Sequence, residues 1–449
     1  MSRKATAPLE EWMESIIDYR GKTPTKTDSG VPLVTAKIIK SGRIETPSEF
    51  IAEEDYEEWM RRGIPKGGDV VITTEAPLGE VAQLPDHKIA LAQRVITLRG
   101  KQGIVDNTYL KYLLLSSEFQ HDLESRATGT TVFGIKQSVL RKIELSFPDF
   151  GEQKGIAHIL GTLDEKIELN RKTNETLEGI AKALFKSWFV DFDPVRAKAE
   201  GRPTGLPDEI SELFPDSFEE SELGDIPSGW NPTCLDDITD FVIGGDWGKG
   251  EQSNEFSAPM LCIRGADIPD LQDFGYGKMP ARFLKESSAQ KRSLRHGDIV
   301  FEISGGSPTQ STGRPVLVES EMLEKFKSPL TCSNFCRLVR PLSIAHSRYV
   351  YQHLRQAYDS GEMFMYETGT TGIKNFGYKH YASSRFFPLS GERLLSVFSS
   401  VIGDLRQRCH LSGSENSTLA SLRDALLPRL ISGELRVPDA EKMLEEVGI

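Results

Sequence analysis

The sequence predicts a mixed α/β (α+β) protein built as an internal pseudo-twofold repeat. Two similar globular domains are each followed by a long helix, and the two helices form an antiparallel coiled coil. Three observations carry this prediction. A heptad pattern runs from Gly151 to Phe189, a second runs from Phe398 to Leu430, and four short motifs recur in the same order in both halves of the chain. An apolar repeat every 3.5 residues keeps one seam turned toward a partner helix, and self-similarity in a fixed order marks a duplicated unit.

The first seam consists of Ile156, Leu160, Leu163, Ile167, Leu177, Ala181, Leu184 and Trp188, interrupted by Asn170 and Asn174. The second consists of Phe398, Ile402, Leu405, Cys409, Leu419, Leu422, Leu426 and Leu430, interrupted by Ser412 and Asn416, 242 residues after the first pair of polar residues. Beyond the interruption Leu177, Ile180, Leu184 and Trp188 correspond to Leu419, Leu422, Leu426 and Leu430. One such stretch alone reads as an amphipathic helix of a globular core. Two with matched polar layers read as partners whose register Asn170, Asn174, Ser412 and Asn416 set, because a buried amide penalises every alignment that leaves it unbonded.

At 449 residues and 38% hydrophobic, the chain is long enough for two or three domains with their own cores. It holds no apolar run of about 18 residues and no apolar leader, so a soluble, cytoplasmic protein with no membrane partner is expected. Its five cysteines, Cys234, Cys262, Cys332, Cys336 and Cys409, contain no CxxC pair. No nearby histidine completes a tetrahedral set with Cys332 and Cys336, so reduced thiols and no metal are expected. The net charge of −12 is concentrated: nine acids against Arg202 alone give −8 between Glu200 and Asp225, and the tail from Pro438 gives −3. The remainder is close to neutral and compatible with a basic face.

In chain order, residues 1–149 alternate apolar runs with Gly, Pro and Asp, which predicts a mixed domain. Strands are expected at Val31 to Ala36, Asp69 to Thr74 and Arg94 to Leu98, with a helix over Asn107 to Leu123. Basic side chains collect in its loops: Arg20, Lys22 and Lys26, then Lys37, Lys40 and Arg43, then Arg126, Lys136, Arg141 and Lys142 around Thr128-Gly129-Thr130-Thr131. Lysine and arginine on loops beside glycine and threonine can reach phosphates and base edges together, although a solvated surface accounts for any one of them taken singly.

The first heptad helix occupies 150–194. Asp149 and Glu152 have the spacing of a capping box, and Asp193-Pro194 is expected to end it. Gly155, Gly161 and Gly179 each cost about 1 kcal/mol relative to alanine, so packing must hold the helix together. Phe185, Phe189 and Phe192 extend the apolar surface past the seam, either as a face for a partner protein or as burial against the chain's own domains. Residues 195–229 read as an acidic, proline-containing linker.

From 230 to 389 the first domain recurs. Val31-Pro32-Leu33-Val34 matches Ala258-Pro259-Met260-Leu261, Gly68-Asp69-Val70-Val71 matches Gly297-Asp298-Ile299-Val300, Thr128-Gly129-Thr130-Thr131 matches Thr368-Gly369-Thr370-Thr371, and Pro148 with Gly151-Glu152 matches Pro388 with Gly391-Glu392. The loops differ more than the framework. Here the basic residues are Lys249, Arg264, Lys278, Arg282, Lys374, Lys379 and Arg385, set among Trp247, Phe376, Tyr378 and Tyr381. The second heptad helix (390–437) and an acidic tail (438–449) close the chain.

This order resembles the DNA-specificity subunit of Type I restriction-modification systems. The segments Phe147-Pro148 to Gly151-Glu152-Gln153-Lys154-Gly155-Ile156, Leu163-Asp164-Glu165-Lys166-Ile167-Glu168-Leu169-Asn170 and Trp188-Phe189-Val190-Asp191-Phe192-Asp193-Pro194 are similar to that family's central region. Tyr19-Arg20-Gly21-Lys22-Thr23-Pro24 and Gly129-Thr130-Thr131 are similar to pieces of its target-recognition domains. The second helix departs from the pattern, with Arg393 in the place of Gln153 and a two-residue shift before Leu419.

The resemblance implies that each domain reads one half of a split double-stranded DNA sequence while the paired helices set the unread gap. It also implies a non-catalytic chain that docks two adenine-N6 methyltransferase subunits and, in a larger complex, restriction and translocation subunits. S-adenosylmethionine, ATP and Mg are then expected on those partners and no cofactor on this chain. Accordingly the sequence holds no GxxxxGK(S/T) phosphate loop, glycine-rich fingerprint, Asn-Pro-Pro-aromatic motif, HExxH or GxSxG. The DNA contacts expected are Arg20, Lys22, Lys26, Lys37, Arg126 and Lys136 in the first domain, and Lys249, Arg264, Lys374 and Lys379 in the second. A 39-residue helix is about 59 Å long, roughly 17 base pairs, which holds two short half-sites and a gap. The alternative is a protein-interaction scaffold built on a coiled-coil arm, which explains the acidic total and the surplus phenylalanines but not two differently looped basic domains.

Overall fold

The computed structural model of the protein describes residues 6–19, 23–129, 132–307, 310–369 and 372–446. It divides into two units, residues 1–167 with 418–449 and residues 168–417. Each unit takes a part of each long helix, so the expected linear boundaries are redrawn and neither heptad helix is a domain of its own.

Unit 1 contains β1 (Met13–Asp18), β2 (Val31–Val34), β3 (Phe50–Ile51), β4 (Val70–Thr74), β5 (Leu78–Gln83), β6 (Ala90–Leu91) and β7 (Val95–Gly100). Four form an antiparallel sheet in the order β1-β7-β4-β5, and three form a small sheet in which β2 runs antiparallel to β3 and parallel to β6. Ala7–Pro8 pairs with Glu144–Leu145. The main sheet is buried on both faces. Val70, Ile72, Ile96 and Leu98 point into one core, whereas Val71 and Val95 point into the other, as the two-residue side-chain period requires.

The helix expected over Asn107 to Leu123 is two helices, α1 (Asn107–Leu115) and α2 (Ser117–Ser125). Ser116 is extended, and its hydroxyl accepts the Phe119 N–H at 3.4 Å. A serine that can bond a nearby backbone N–H ends one helix and caps the next. The helix α3 (Phe150–Phe189) follows, and Asp149 accepts the Glu152 N–H at 3.0 Å at its start.

In unit 2, β8 (Thr239–Gly244), β9 (Ala258–Ile263), β10 (Ala281–Leu284), β11 (Ile299–Glu302), β12 (Pro315–Leu317), β13 (Leu330–Cys332) and β14 (Cys336–Pro341) repeat the arrangement strand for strand. The main sheet has the order β8-β14-β11-β12, all antiparallel, and β9 runs antiparallel to β10 and parallel to β13. Asn231–Cys234 pairs with Phe386–Leu389, as Ala7–Pro8 pairs with Glu144–Leu145. Alternation recurs too, with Ile299 and Phe301 in one core and Val300 in the other. After β14 come α4 (Ile344–Asp359) in the same unit and α5 (Glu392–Ser432), which passes into unit 1 at Thr418, and α6 (Val437–Glu446) follows in unit 1.

The duplication extends to polar groups. Gly68 and Gly297 turn with φ of +82° and +90°, a region that favours glycine. Each places a buried aspartate at a strand start, where Asp69 takes two hydrogen bonds from Arg99 (2.8 and 2.6 Å) and Asp298 two from Arg340 (2.6 and 2.8 Å).

Three expectations are corrected. The helix α3 ends at Phe189, and Asp193-Pro194 instead opens a short helix, Asp193–Ala199, where a proline's missing N–H costs nothing. Residues 195–229 are not a solvated linker: they form two short helices and the hairpin Phe218–Ser221 with Gly224–Pro227, and bury Val195, Phe214 and Ile226 in the unit 2 core. The acidic tail is the amphipathic helix α6, whose Ala440 and Leu444 join the unit 1 core while its acids face outward. Among the described residues no helix is long and apolar enough to cross a membrane.

Candidate nucleic-acid interface and helix register

The polar layer expected between the heptad helices lies within unit 2. The Asn170 amide donates to Asn416 Oδ1 at 2.9 Å and to Glu415 at 2.6 Å, and Asn174 donates to the Cys409 carbonyl at 3.2 Å. Asn170 and Asn174 are buried, and Ser412 is half-buried on the facing helix. Partner numbers fall along α5 as they rise along α3, so the pairing here is antiparallel. In unit 1 the seam is apolar, with Ile156, Leu160, Leu163 and Ile167 clustered with Leu419, Leu426 and Leu430. There Arg423 meets Asp164 at 2.8 Å. Ile180 departs from the expected seam and is 48% exposed.

Three anchors missed by the heptad reading fix the helices to their units. Gln153 is fully buried, accepts the Asp106 N–H at 2.9 Å and donates to the carbonyls of Ile104 (2.9 Å) and Pro148 (3.0 Å). Asp164 accepts from Lys111 (2.7 Å), the Tyr112 hydroxyl (2.6 Å) and Arg423. Burial alone would raise its carboxyl, but Lys111 and these hydrogen bonds hold it below the ordinary carboxylate value. In unit 2 the fully buried Arg406 bonds Glu319 at 2.6 Å and Glu178 at 3.3 Å, and Arg348 bonds Glu319 at 3.0 Å. Burial opposes ionisation of Glu319, yet Arg406, His410 and Arg348 depress it well below the usual range. A signal existed for the last anchor: Arg406 sits four residues after Ile402, inside an apolar stripe.

The basic residues proposed from sequence fall into three groups. Arg20 and Lys22 lie outside the described residues. Lys37, Lys136, Lys249 and Lys379 are exposed, as are Lys26 and Arg126, which form open ion pairs with Glu49 (2.7 Å) and Asp122 (2.9 Å). Arg264 and Lys374 are committed within the fold, so reading them as free phosphate clamps is corrected. Arg264 takes both oxygens of the buried Asp267 at 2.9 Å and the Lys278 carbonyl at 2.7 Å, and Lys374 pairs with Glu367 at 2.7 Å. A cation not singled out individually, Arg282, lies 4.3 Å over the exposed Trp247 ring.

Phe185, Phe189 and Phe192 are likewise corrected as a partner-binding face. They are 2%, 1% and 8% exposed and pack with Tyr349, Phe398 and Trp230 in the unit 2 core. The surplus beyond the seam meets the chain's own domain. Among the described residues no cluster of His, Cys, Asp and Glu is arranged to hold a metal, and all five cysteines are free and buried.

Residues 14–179, which span most of the unit 1 sheet domain and the first three-quarters of α3, match the family described as Type I restriction modification DNA specificity domain. The full-length relatives agree. The Type I restriction enzyme MjaIX specificity subunit of Methanocaldococcus jannaschii is 27% identical over 424 residues, 91% of this chain and 88% of that one. The HindI specificity subunit of Haemophilus influenzae is 25% identical over 416 residues, 82% of this chain and 87% of that one. Residues 14–179 therefore carry a Type I restriction modification DNA specificity domain, and most of the chain is similar to Type I specificity subunits.

Its fold matches the crystal structure of the Type I restriction-modification S subunit from M. genitalium, with a TM-score of 0.52 and 16% identity over 96% of both chains. Gln153, Asp164, Asn170 and Asn174 all fall inside the segment that matches the specificity domain, so that segment carries two of the three helix anchors as well as most of the first sheet domain.

Proposed function

We propose that this chain is a specificity subunit that recognises a bipartite double-stranded DNA sequence, with one unit reading each half-site and the paired helices setting the unread gap. The observation that carries the proposal is the strand-for-strand repetition of one scaffold with different loops, which suits two versions of one kind of ligand. Exposed Lys26, Lys37, Arg126 and Lys136 in unit 1, and Lys249 and Lys379 in unit 2, supply the phosphate contacts. Two methyltransferase subunits dock on the chain in the cytoplasm and restriction subunits join the larger complex. S-adenosylmethionine, ATP and Mg are bound by those partners.

The scaffold alternative drew on the surplus phenylalanines, and their burial removes that support. Expressing the chain with its methyltransferase and mapping methylated adenines genome-wide tests the proposal. A single two-part motif with a fixed gap is expected, and methylation without sequence preference would end it. In a gel shift, Lys136→Ala is expected to weaken binding to all sequences and flatten the salt dependence by about one phosphate contact.

A further inference from the structure

The polar layers of the two long helices do not by themselves say which helix should pair with which. Asn416, which accepts from Asn170, stands 242 residues after Asn174. Two copies of α3 laid antiparallel in the same register would therefore set the Asn170 of each against the Asn174 of the other and offer each amide an amide partner. An internally duplicated chain always faces this alternative, in which like helices of two copies pair about a twofold axis. The choice has to come from the flanks, where charged residues beside a coiled-coil seam select partners.

The flanks carry one pair of opposite charges in each unit. In unit 1, Asp164 of α3 meets Arg423 of α5 at 2.8 Å. In unit 2, Arg406 of α5 meets Glu178 of α3 at 3.3 Å. Asp164 and Arg406 are themselves 242 residues apart, so one repeated position holds an anion in the first helix and a cation in the second. The residue across the seam is inverted to match. The globular domains, by contrast, keep their sign: Lys111 and Arg348 each stand five residues after the capping residue of their helix, Asp106 and Ser343. Lys111 bonds Asp164 directly at 2.7 Å, whereas Arg348 reaches Arg406 only through Glu319, which bonds both. The inversion is thus confined to the long helices, where α3 supplies the anions of these contacts and α5 the cations.

Pairing like with like turns both contacts into repulsions. Asp164 lies six residues before Asn170 and Glu178 four after Asn174, so antiparallel α3 helices from two copies bring these carboxylates together on one flank, twice by symmetry. Two copies of α5 likewise bring Arg406, six residues before Ser412, toward Arg423, seven after Asn416. All four side chains are at most 22% exposed, where salt screens like charges weakly and their juxtaposition is costly.

We propose that Asp164, Glu178, Arg406 and Arg423 form a charge code that pairs α3 with α5 and rejects the corresponding helix of a second copy of this chain. The repulsive half of the code is what makes the choice selective. Its consequence for DNA, that the chain presents two different readers rather than two of one kind, rests on the proposed function.

The test co-expresses two differently tagged full-length copies with the methyltransferase, recovers one tag and measures the other. Glu178→Arg makes the α3 pair between copies attractive and opposes the chain's own Arg406, and Arg423→Glu does the same for α5. Wild-type copies are expected to stay apart, and the double variant to capture its counterpart at least about tenfold more. Each single variant should show a smaller rise, and decides the matter if the double variant is insoluble. Glu178→Gln removes the native pair without creating an attraction and should rise less than Glu178→Arg. An equal rise from those two, reversed variants that capture no more than wild type, or wild-type copies that already capture each other as strongly would overturn the inference and leave the proposed function standing. Methylome mapping then separates the two readings. A double variant that associates should methylate two inverted copies of one half-site, and association with the parent motif unchanged would count against the reading of one half-site per unit while the charge code stands.

Discussion

Arg406 shows what a charged residue inside a heptad stripe does. It is fully buried, with Glu319 and Glu178 as its anionic partners and the rings of Tyr351 and Phe274 4.8 and 5.2 Å from its guanidinium. Removing one partner of a buried pair costs more than removing both, because the survivor stays desolvated. Arg406→Met is therefore expected to destabilise unit 2 by about 3 kcal/mol, the low end of the usual range because Arg348 still neutralises Glu319. The double variant with Glu319→Gln should lose less than the sum, as read by hydrogen exchange along α5. A second buried group gives unit 2 its pH dependence. His353 stacks on Phe387 at 4.5 Å and meets Phe185 and Tyr349 edge-on, and burial pushes its pKa down to about 3. Because an unfolded histidine titrates near 6.5, the unfolded chain binds more protons between pH 6.5 and 3. Stability is then fully present above pH 6.5 and declines as pH falls toward 3, by at most about 1.4 kcal/mol per pH unit. Thermal melts of His353→Phe from pH 7 to 4.5 should show a shallower decline than wild type. Arg406 left a trace in the sequence as a charge inside an apolar stripe, but its partner Glu319 and the burial of His353 could not be placed, since both depend on elements far along the chain.

Among the elements, the long helices carry glycines whose cost depends on what surrounds them. Gly179 has no heavy atom within 4 Å of a would-be Cβ, whereas a Cβ on Gly155 would sit 2.9 and 3.1 Å from the methyl carbons of Val437 on α6. Gly179→Ala is accordingly expected to stabilise unit 2 by up to about 1 kcal/mol. Gly155→Ala should yield no such gain and should loosen α6, seen as faster amide exchange over Val437–Glu446. An equal gain from both would mean that α6 does not rest on Gly155. Periodicity and capping were the legible part of these elements, because they are local: the seam of α3, the Asp149 cap and the cores of β4 and β7 all follow from neighbours in sequence. Ser116, Asp193-Pro194 and α6 were misread for one reason. Composition marks a segment as polar or proline-bearing, but whether it breaks a helix, starts one or docks on a core is decided by the surface it meets. The acidic segment before β8 is the same case, its charge masking the apolar residues Phe214 and Ile226 that tie it down.

For the whole molecule, duplication was readable because four motifs kept their order, and the repeated sheet order follows from that. The division into units was not readable, since a continuous helix carries no sequence mark where it passes from one set of neighbours to another at Ile167 and Thr418. The site was legible only as a kind of chemistry: charge located the loops, but Arg264 and Lys374 had partners that no spacing rule shows. The gap-setting part of the proposed function makes the strongest demand on the molecule. Deleting one heptad from α3 and the facing heptad from α5 removes about 10 Å of helix while turning the seam by only about 20°, so the pairing pattern survives. The optimal gap should then shorten by at most about three base pairs. DNA limits the change, because three base pairs rotate one half-site by roughly 100° about the duplex axis at about 10.5 pairs per turn, and twisting works against that displacement. Both half-site sequences should stay as in the parent, since the basic loops lie outside the deleted turns. Removing two residues from α3 alone is the control, because it turns the seam by about 160° away from its partner and should abolish specific methylation rather than shift it. Methylome mapping of the three strains decides the matter: an unchanged gap in the matched heptad deletion would show that the helices do not measure the DNA.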